Sequence, residues 1–381
     1  MKIREDFLPL SRPSIGSEEI RQVTACLESG WITTGPLCQQ FEAQFCALTG
    51  ASRAVSLSSG TAGMHLLLLA MGIGPGDEII TPSLTFASTI NLIAMLGATP
   101  VFVDIDYDTL NINADLLAER ITPRTKVIIP VHFAGAPADM DKIMAIAARY
   151  GLVVIEDSAH AIGAWYKGVH AGGFGNSAVF SFHPIKNITT GEGGLITLSD
   201  GDLEARLRRL RFHGLEKDAW KRYGKGGNPE YDIQTPGFKY NLTDMQAALG
   251  LAQLSRLPEF NARRTHLAAL YHEGLRGVAR IALPGVPDYP HVHAWHLFII
   301  KLLDMERRLF MEKLSEYNVG YGLHFPANHL LSYVKERFPL SAAALPETER
   351  AAAGIISLPL FPGMRDEDVH YVCEAVRELM R

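Results

Sequence analysis

From Arg53 to Leu198 short β-branched runs alternate with stretches whose apolar residues recur at helical spacing. Runs at Ala54–Leu57, Glu78–Thr81, Pro100–Val103, Val127–Val131 and Leu152–Glu156 predict strands. Between them Ala62–Met71, Ala87–Leu96, Ala114–Arg120 and Ala138–Tyr150 predict helices, with Gly72 and Gly151 where C-terminal caps are expected. This alternation, with nearly continuous apolar strands, predicts an α/β fold whose mainly parallel sheet is covered on both faces. Two further strands, Ser177–Phe182 and Leu195–Leu198, flank a polar, glycine-rich turn.

After Asp200 the pattern changes. A helix rich in Arg and Leu (Leu203–Leu210) leads into a Gly/Pro-containing loop from His213 to Pro236. An amphipathic helix over Leu242–Leu257 follows, with Leu242, Met245, Leu249, Ala252 and Leu257 on one side. A smaller α/β unit comes last: a helix over Ala262–Gly274, a strand over His296–Lys301, a helix near Glu306–Tyr317 and a terminal helix from Glu367. The expected division is residues 1–255, a large domain with an N-terminal arm, and residues 256–381, a small C-terminal domain. Ile79 to Val103 carries no charge and is long enough to cross a bilayer, but its prolines and polar residues divide it into buried strand, helix and strand.

Composition narrows the function classes. The 381 residues exceed one typical domain of ~150. With 36 basic against 41 acidic residues the net charge is −5, which with no long basic run argues against nucleic acid or an anionic membrane surface as partner. A 47% hydrophobic content excludes a disordered chain. The four cysteines, Cys26, Cys38, Cys46 and Cys373, form no zinc-ligand spacing, and no signal-peptide pattern opens the chain, so a reduced, cytoplasmic protein is expected.

Three features suggest chemistry. Ser58-Ser59-Gly60-Thr61-Ala62 lies between a strand and a helix, where small residues expose backbone N–H groups to an anion; taken alone, the segment reads more readily as an ordinary capped helix start. Asp157 follows a buried strand at the edge where open α/β sheets bind ligands, either pairing with a cationic ring nitrogen or capping the next turn. Between Gly168 and Ser199 the only Lys, Arg, Asp or Glu residues are Lys186 and Glu192. A lone lysine between an apolar strand and a glycine turn is expected to be desolvated and nucleophilic, against the alternative of a surface lysine at a hairpin tip. With Phe86 available to stack, a phosphate cradle, a ring-nitrogen carboxylate and a desolvated lysine together match the needs of pyridoxal 5'-phosphate (PLP).

The strings Ser59–Ala62, Glu156–His160 and Ser181–Gly194 resemble those of the sugar aminotransferases of the DegT/DnrJ/StrS family, and the likeness runs from Leu10-Ser11-Arg12-Pro13 to Ser357–Pro362. The resemblance implies an aspartate-aminotransferase-like fold (fold type I) and a homodimer with active sites shared between subunits. It makes Lys186 the lysine bonded covalently to the cofactor and Asp157 the partner of the ring nitrogen. His160 takes the position that contacts the ring or its hydroxyl, and Phe86 the stacking position, where close relatives often carry Trp. Gly60, Thr61, Ala62 and Ser181 match the phosphate cradle, and Asn241 the residue reaching the phosphate from the partner subunit. His183 has a supporting role, and His183, His324 and His329 are candidate substrate contacts. A family branch that dehydrates sugars has histidine in place of Lys186. The segments Ser29–Pro36, Pro130–Asp139, Phe212–Trp220, His291–Ile300 and Gly322–Phe325 further resemble members that use glutamate, releasing 2-oxoglutarate, to aminate C4 of a UDP-linked 4-keto pentose for lipid A and lipopolysaccharide biosynthesis and antibiotic resistance. A 4-keto-6-deoxyhexose nucleotide is the alternative substrate.

Other readings fit less well. Asp104-Ile105-Asp106-Tyr107-Asp108 could suggest a metal-dependent glycosyltransferase, but acidic residues at a strand end entering a turn account for it. His291, His293 and His296 fall on differing faces of an extended segment, and no metal is expected. A non-enzymatic regulator on this fold predicts a damaged cofactor set, whereas the set here is complete.

Overall fold

Alternation of side chains along β-branched strands places apolar residues on both faces of one sheet, and helices cover both. The computed structural model describes residues 2–215, 230–233, 235–339 and 345–381. The strands of the first half are β1 (Arg53–Leu57), β2 (Glu78–Pro82), β3 (Thr99–Val103), β4 (Thr125–Ile128), β5 (Val153–Asp157), β6 (Trp165–Tyr166), β7 (Val169–His170), β8 (Ser177–Ser181) and β9 (Gly194–Leu198). Seven of them form a sheet in the order β1-β9-β8-β5-β4-β2-β3, parallel throughout except that β9 runs against both neighbours. Ile79, Val127, Ile155, Val179 and Ile196 point to one face; Ile80, Ile128, Val154, Phe180 and Leu195 point to the other.

The helices are α1 (Ser17–Glu28), α2 (Pro36–Thr49), α3 (Gly60–Ala70), α4 (Ala87–Met95), α5 (Met140–Tyr150), α6 (Gly201–Leu210), α7 (Asp244–Ser255), α8 (Leu257–Gly274), α9 (Arg307–Glu316), α10 (Ser332–Arg337), α11 (Pro346–Gly354) and α12 (Asp366–Leu379). α3 and α6 pack on one face of the sheet, while α2, α5 and α7 take the other. Asp139 and Asp200 cap α5 and α6 through their carboxylates, and Gly151 closes α5 with φ +66°. The remaining strands are β10 (Ile281–Ala282), β11 (His291–Val292), β12 (Phe298–Leu302) and β13 (Ile355–Leu358). β10-β12-β13 form an antiparallel sheet whose core is shared with α8, α9 and α12. Leu8 of the N-terminal arm bridges Val319 and is buried in that core. β11 instead pairs with β6, beside the main sheet.

Several expected elements shift for local reasons. The uncharged stretch forms β2, α4 and β3, and no helix of the described residues is long and apolar enough to cross a membrane. Ala114–Arg120 forms two single 3₁₀ turns, Ala114–Leu116 and Ala118–Arg120, rather than an α-helix. β4 stops at Ile128, two residues before Pro130, which has no N–H to give the ladder. The helix expected over Leu242–Leu257 begins at Asp244 because Thr243 and Gln246 form a reciprocal cap (3.2 and 3.1 Å). Of the expected buried side Leu242, Ala252 and Leu257 are buried, joined by Ala247, Ala248, Leu251 and Leu254, while Met245 faces outward. Small residues permit that close approach, since a Cβ on Gly250 would lie 2.8 Å from Thr190. Most of residues 213–236, expected as a loop, and the end of the Phe212–Trp220 segment lie outside the described residues.

Candidate active site

A cavity of about 280 Å³ opens at the carboxyl ends of β2, β5 and β8, the edge where parallel sheets bind ligands. Ser59, Gly60, Thr61, Phe86, Asp157, His160, Ser181, His183, Lys186 and His324 line it, and so do Thr85, Glu192 and Phe325.

One wall is the start of α3. The Ser59 side chain caps the helix by accepting from the Ala62 N–H at 3.0 Å. That bond uses the Ala62 donor and leaves Ala62 buried outside the cavity lining. The first N–H groups of a helix have no partner within it and face positive. At this end they belong to Gly60 and Thr61, beside the hydroxyls of Thr61 and Ser181. The backbone approach is close: a Cβ on Gly60 would lie 3.1 Å from the Phe180 carbonyl, and one on Gly194 only 2.3 Å from Ser59. Oriented donors without a basic side chain make an anion cradle. On the same lining the Thr85 hydroxyl is buried without a hydrogen-bond partner among the described residues, as expected of a group whose partner is a ligand.

Asp157 ends β5. Burial pushes its carboxyl pKa up, while the Ala159 N–H (3.1 Å), the Lys186 ammonium and His132 pull against that rise. Beneath it, the side chain of Glu156 is fully buried. Burial alone would raise its pKa too, but His132 Nε2 (2.8 Å) and the N–H groups of Gly172, Phe174 and Gly175 hold the carboxyl below its ordinary range. The Ala138 N–H donates to His132 Nδ1 (3.0 Å), so the imidazole proton sits on Nε2, toward Glu156.

Lys186 sits in the turn after β8. Burial lowers its pKa to about 8 against the opposing pull of Asp157. Among the described residues its Nζ has no hydrogen-bond or ion-pair partner. The next residue anchors the turn, because Asn187 donates to Asn261 (2.8 Å) and the Ala294 carbonyl (2.7 Å). An amine whose charged form burial disfavours, held in a fixed turn, is equipped to attack a carbonyl and to carry a proton.

Aromatic rings flank the cavity. His160 stacks on Phe325 (5.8 Å, 25°) and lies 4.4 Å from His296. Burial, with Lys186 and His324 adding to it, holds its pKa well below the usual imidazole value. The Ala134 N–H donates to its Nδ1 (3.3 Å), which places the proton of the neutral ring on Nε2. Phe86 is 59% exposed at the cavity wall, 5.8 Å from Phe325. His324 meets the Ser357 hydroxyl at 2.8 Å, and burial, with Lys186 adding to it, lowers its pKa to about 4.

Besides Ala62, two more expected residues lie outside the lining. His329 is buried outside the cavity lining, with its ring against Ser83 (2.7 Å) and Glu349 (3.3 Å). Asn241 is also outside it, donating to the Thr34 hydroxyl at 2.6 Å. The other candidate motifs have structural roles. Asp104 accepts from the Glu347 and Thr348 N–H groups and the Thr348 hydroxyl, capping α11. Among the described residues no cluster of His, Cys, Asp and Glu could hold a metal. Thr85, Glu192 and Phe325 were not foreseen as site residues. Of these Glu192 left a sequence signal as the one charge besides Lys186 between Gly168 and Ser199, and Phe325 ends the Gly322–Phe325 segment of the finer resemblance.

Comparison with known proteins agrees with this geometry. The model of the DegT/DnrJ/EryC1/StrS aminotransferase family matches residues 13–377. The chain is similar to Spr1654 from Streptococcus pneumoniae in its PMP form, with 34% identity and a TM-score of 0.90 over 98% of this chain and all of that one; a PLP form of the same protein matches at 33%. It is similar to the sugar aminotransferase CalS13 from Micromonospora echinospora, with 32% identity and a TM-score of 0.87 over 97% of this chain and 99% of that one. It is also similar to Helicobacter pylori PseC, an aminotransferase involved in pseudoaminic acid biosynthesis, with 28% identity and a TM-score of 0.90 over 98% and 99%.

Proposed function

Because the chain belongs to the DegT/DnrJ/EryC1/StrS aminotransferase family, we propose that it moves the amino group of glutamate to C4 of a UDP-linked 4-keto pentose, giving UDP-4-amino-4-deoxy-L-arabinose for lipid A modification. It is a PLP-dependent sugar aminotransferase of the aspartate-aminotransferase-like fold. The proposed part is the sugar, the donor, a cytoplasmic homodimer with shared sites, and the division into domains at residues 255 and 256.

The residues present suit the cofactor. Gly60, Thr61 and Ser181 would hold the phosphate, Asp157 the ring nitrogen, and His160 and Phe86 the ring, with the partnerless Thr85 hydroxyl within the same cavity. Asn241, outside this cavity, would reach a phosphate only across a subunit interface. When bound, PLP supplies an electron sink for the carbon that carries the amine. Asp157 keeps a proton on the ring nitrogen. Lys186 Nζ, with a pKa brought near neutrality by burial, takes a proton from the donor's α-carbon and later delivers one to C4 of the sugar. The neutral ring of His160 presents its Nε2 proton without adding charge.

The observation that carries this reading is the unpartnered amine of Lys186 in one cavity with Asp157 and the α3 N-terminus. The finer assignment rests on the sequence resemblance of residues 29–36, 130–139, 212–220, 291–300 and 322–325 to the members that aminate a UDP-linked 4-keto pentose. A 4-keto-6-deoxyhexose nucleotide remains the second reading, since a relative as similar in fold as PseC serves the biosynthesis of a different sugar. The test is product mass spectrometry after incubation with glutamate and each ketosugar nucleotide in turn. A 4-amino pentose is expected, and turnover of the hexose alone overturns the pentose assignment.

A further inference from the structure

The geometry points to Glu192 as a specificity-determining residue that reads the hydroxyls of the keto sugar across a gap from His183. This rests on the aminotransferase reading above, in which one cavity must serve two unlike substrates in turn.

Glu192 Oε1 and His183 Nε2 face each other 4.0 Å apart on the wall that also holds Lys186, with their side chains 63% and 46% exposed. That separation is too long for a direct hydrogen bond. The Ile185 N–H donates to His183 Nδ1 (3.4 Å), so the proton of the neutral ring is on Nε2, facing the gap. Although the Glu192 side chain is free, its backbone is fixed. The carbonyl accepts from Thr190 Oγ1 and Gln246 Nε2, both at 2.7 Å. The following glycines press against their neighbours, with no room for a Cβ on Gly193 or Gly194.

A carboxylate acceptor on a fixed backbone, facing an imidazole donor, suits a group that both donates and accepts. A hydroxyl does so, and a carboxylate does not. The amino donor is a dicarboxylate, which the Glu192 charge repels. The sugar carries hydroxyls next to its keto carbon, which must approach Lys186. A hydroxyl bound to an ionised carboxylate makes a charge-assisted bond, about twice as strong as a neutral one. Among the described residues Asp157, Lys186 and Glu192 are the only Asp, Glu, Lys or Arg side chains on the cavity lining, and the first two are committed to chemistry. Discrimination by charge therefore falls to Glu192.

The test compares the wild-type holoenzyme with Glu192→Gln, which keeps the shape and removes the charge. Titration with UDP alone and with a UDP-linked pentose bearing a 4-hydroxyl separates sugar contacts from diphosphate contacts without turnover. The variant is expected to bind the UDP-pentose about tenfold more weakly, the loss of one charged hydrogen bond, with a much smaller change for UDP. Equal changes for both ligands, no change for either, or no binding of the sugar ligand by the wild type each overturn the proposal. The two half-reactions, followed as bleaching of the cofactor's visible band by glutamate and its return with the ketosugar, give the second readout. Glu192→Gln should slow the return more than the bleaching, by about tenfold, and equal slowing overturns the proposal. A wild-type band that glutamate does not bleach counts against the aminotransferase reading instead, and leaves the binding result to decide the role of Glu192.

Discussion

His329 meets Ser83 twice: its ring Nδ1 lies 2.7 Å from the serine hydroxyl, and its backbone N–H donates to that same oxygen at 3.0 Å. Beside it Asn328 donates to the carbonyls of Ser83 (3.0 Å) and Thr85 (2.6 Å). The stretch Asn328–Leu330 thereby holds the loop that ends in Phe86, so His329 supports the cavity wall from behind. Replacing His329 by Ala leaves a buried hydroxyl with fewer partners, a loss of about 1–3 kcal/mol. Thermal melting of His329→Ala should fall by several degrees, with the KM for ketosugar changing little at temperatures where the variant is folded. A large KM change in a variant with wild-type melting would instead make His329 a substrate contact.

What the sequence revealed follows from where its signals were isolated. Lys186 and Asp157 were legible because one stands in a stretch almost without charge and the other at the end of a buried strand. Glu192 stood out by the same scarcity of charge, but nothing local indicated that it faces a cavity. Thr85 was silent, being an ordinary hydroxyl, and Phe325, though it ends a segment of the finer resemblance, gave no local sign of its place, because packing brings it against His160 from a distant part of the chain. His324 and His329 share a Gly/Pro-containing stretch and were indistinguishable by type; the turn at Asn328–Leu330 sends them to different places. The helix α1 went unseen because it is largely polar, with only Glu19 and Cys26 buried; α2 buries Cys38, Phe41, Glu42, Phe45 and Thr49 at regular helical spacing, a face whose apolar signal Glu42 and Thr49 interrupt.

Lys186 sets a pH dependence for cofactor capture. Burial brings its pKa to about 8, while Asp157 pulls the other way. The neutral amine is the nucleophile, so the rate at which cofactor-free protein captures PLP should climb as pH rises through about 8 and then level off. A surface lysine would keep climbing to about 10.4. In Asp157→Asn the opposing carboxylate is gone, so the rise should move to lower pH. Stopped-flow absorbance of PLP addition across a pH series reads both, and a rise that does not move in the variant removes Asp157 from the electrostatics of Lys186.

Beneath the site, Glu156 contributes to acid sensitivity. Burial would raise its pKa, but His132 and three backbone N–H groups outweigh that, so the folded value lies below the unfolded one. A carboxyl depressed in this way stabilises the fold above its unfolded pKa, and that stability is lost as pH falls through the folded value. Glu156→Gln keeps the shape but forfeits the charged bonds. It should be less stable than the wild type at neutral pH, by about 1–3 kcal/mol, with the difference shrinking below about pH 4.5. Urea unfolding at neutral and acidic pH measures it, and a difference that grows on acidification would contradict the assignment.

The two glycines of the cradle should respond differently to the same added methyl group. At Gly60 a Cβ would stand 3.1 Å from the Phe180 carbonyl and 3.2 Å from Ser181 Cβ, so small shifts accommodate it at the expense of the cradle's shape. Gly60→Ala is therefore expected to fold and to bind PLP about tenfold more weakly, the equivalent of one imperfect charged hydrogen bond. At Gly194 the Cβ would lie 2.3–2.4 Å from the Ser59 carbonyl carbon and the Gly60 nitrogen, where only backbone could move. Because β9 pairs with both β1 and β8, the displacement passes into the sheet. Gly194→Ala should thus lose stability before it loses affinity, by about 1–3 kcal/mol as overpacking does. Paired measurements of melting temperature and PLP affinity separate the two, and identical behaviour of the variants would mean that the Gly60 turn is as rigid as the strand behind it.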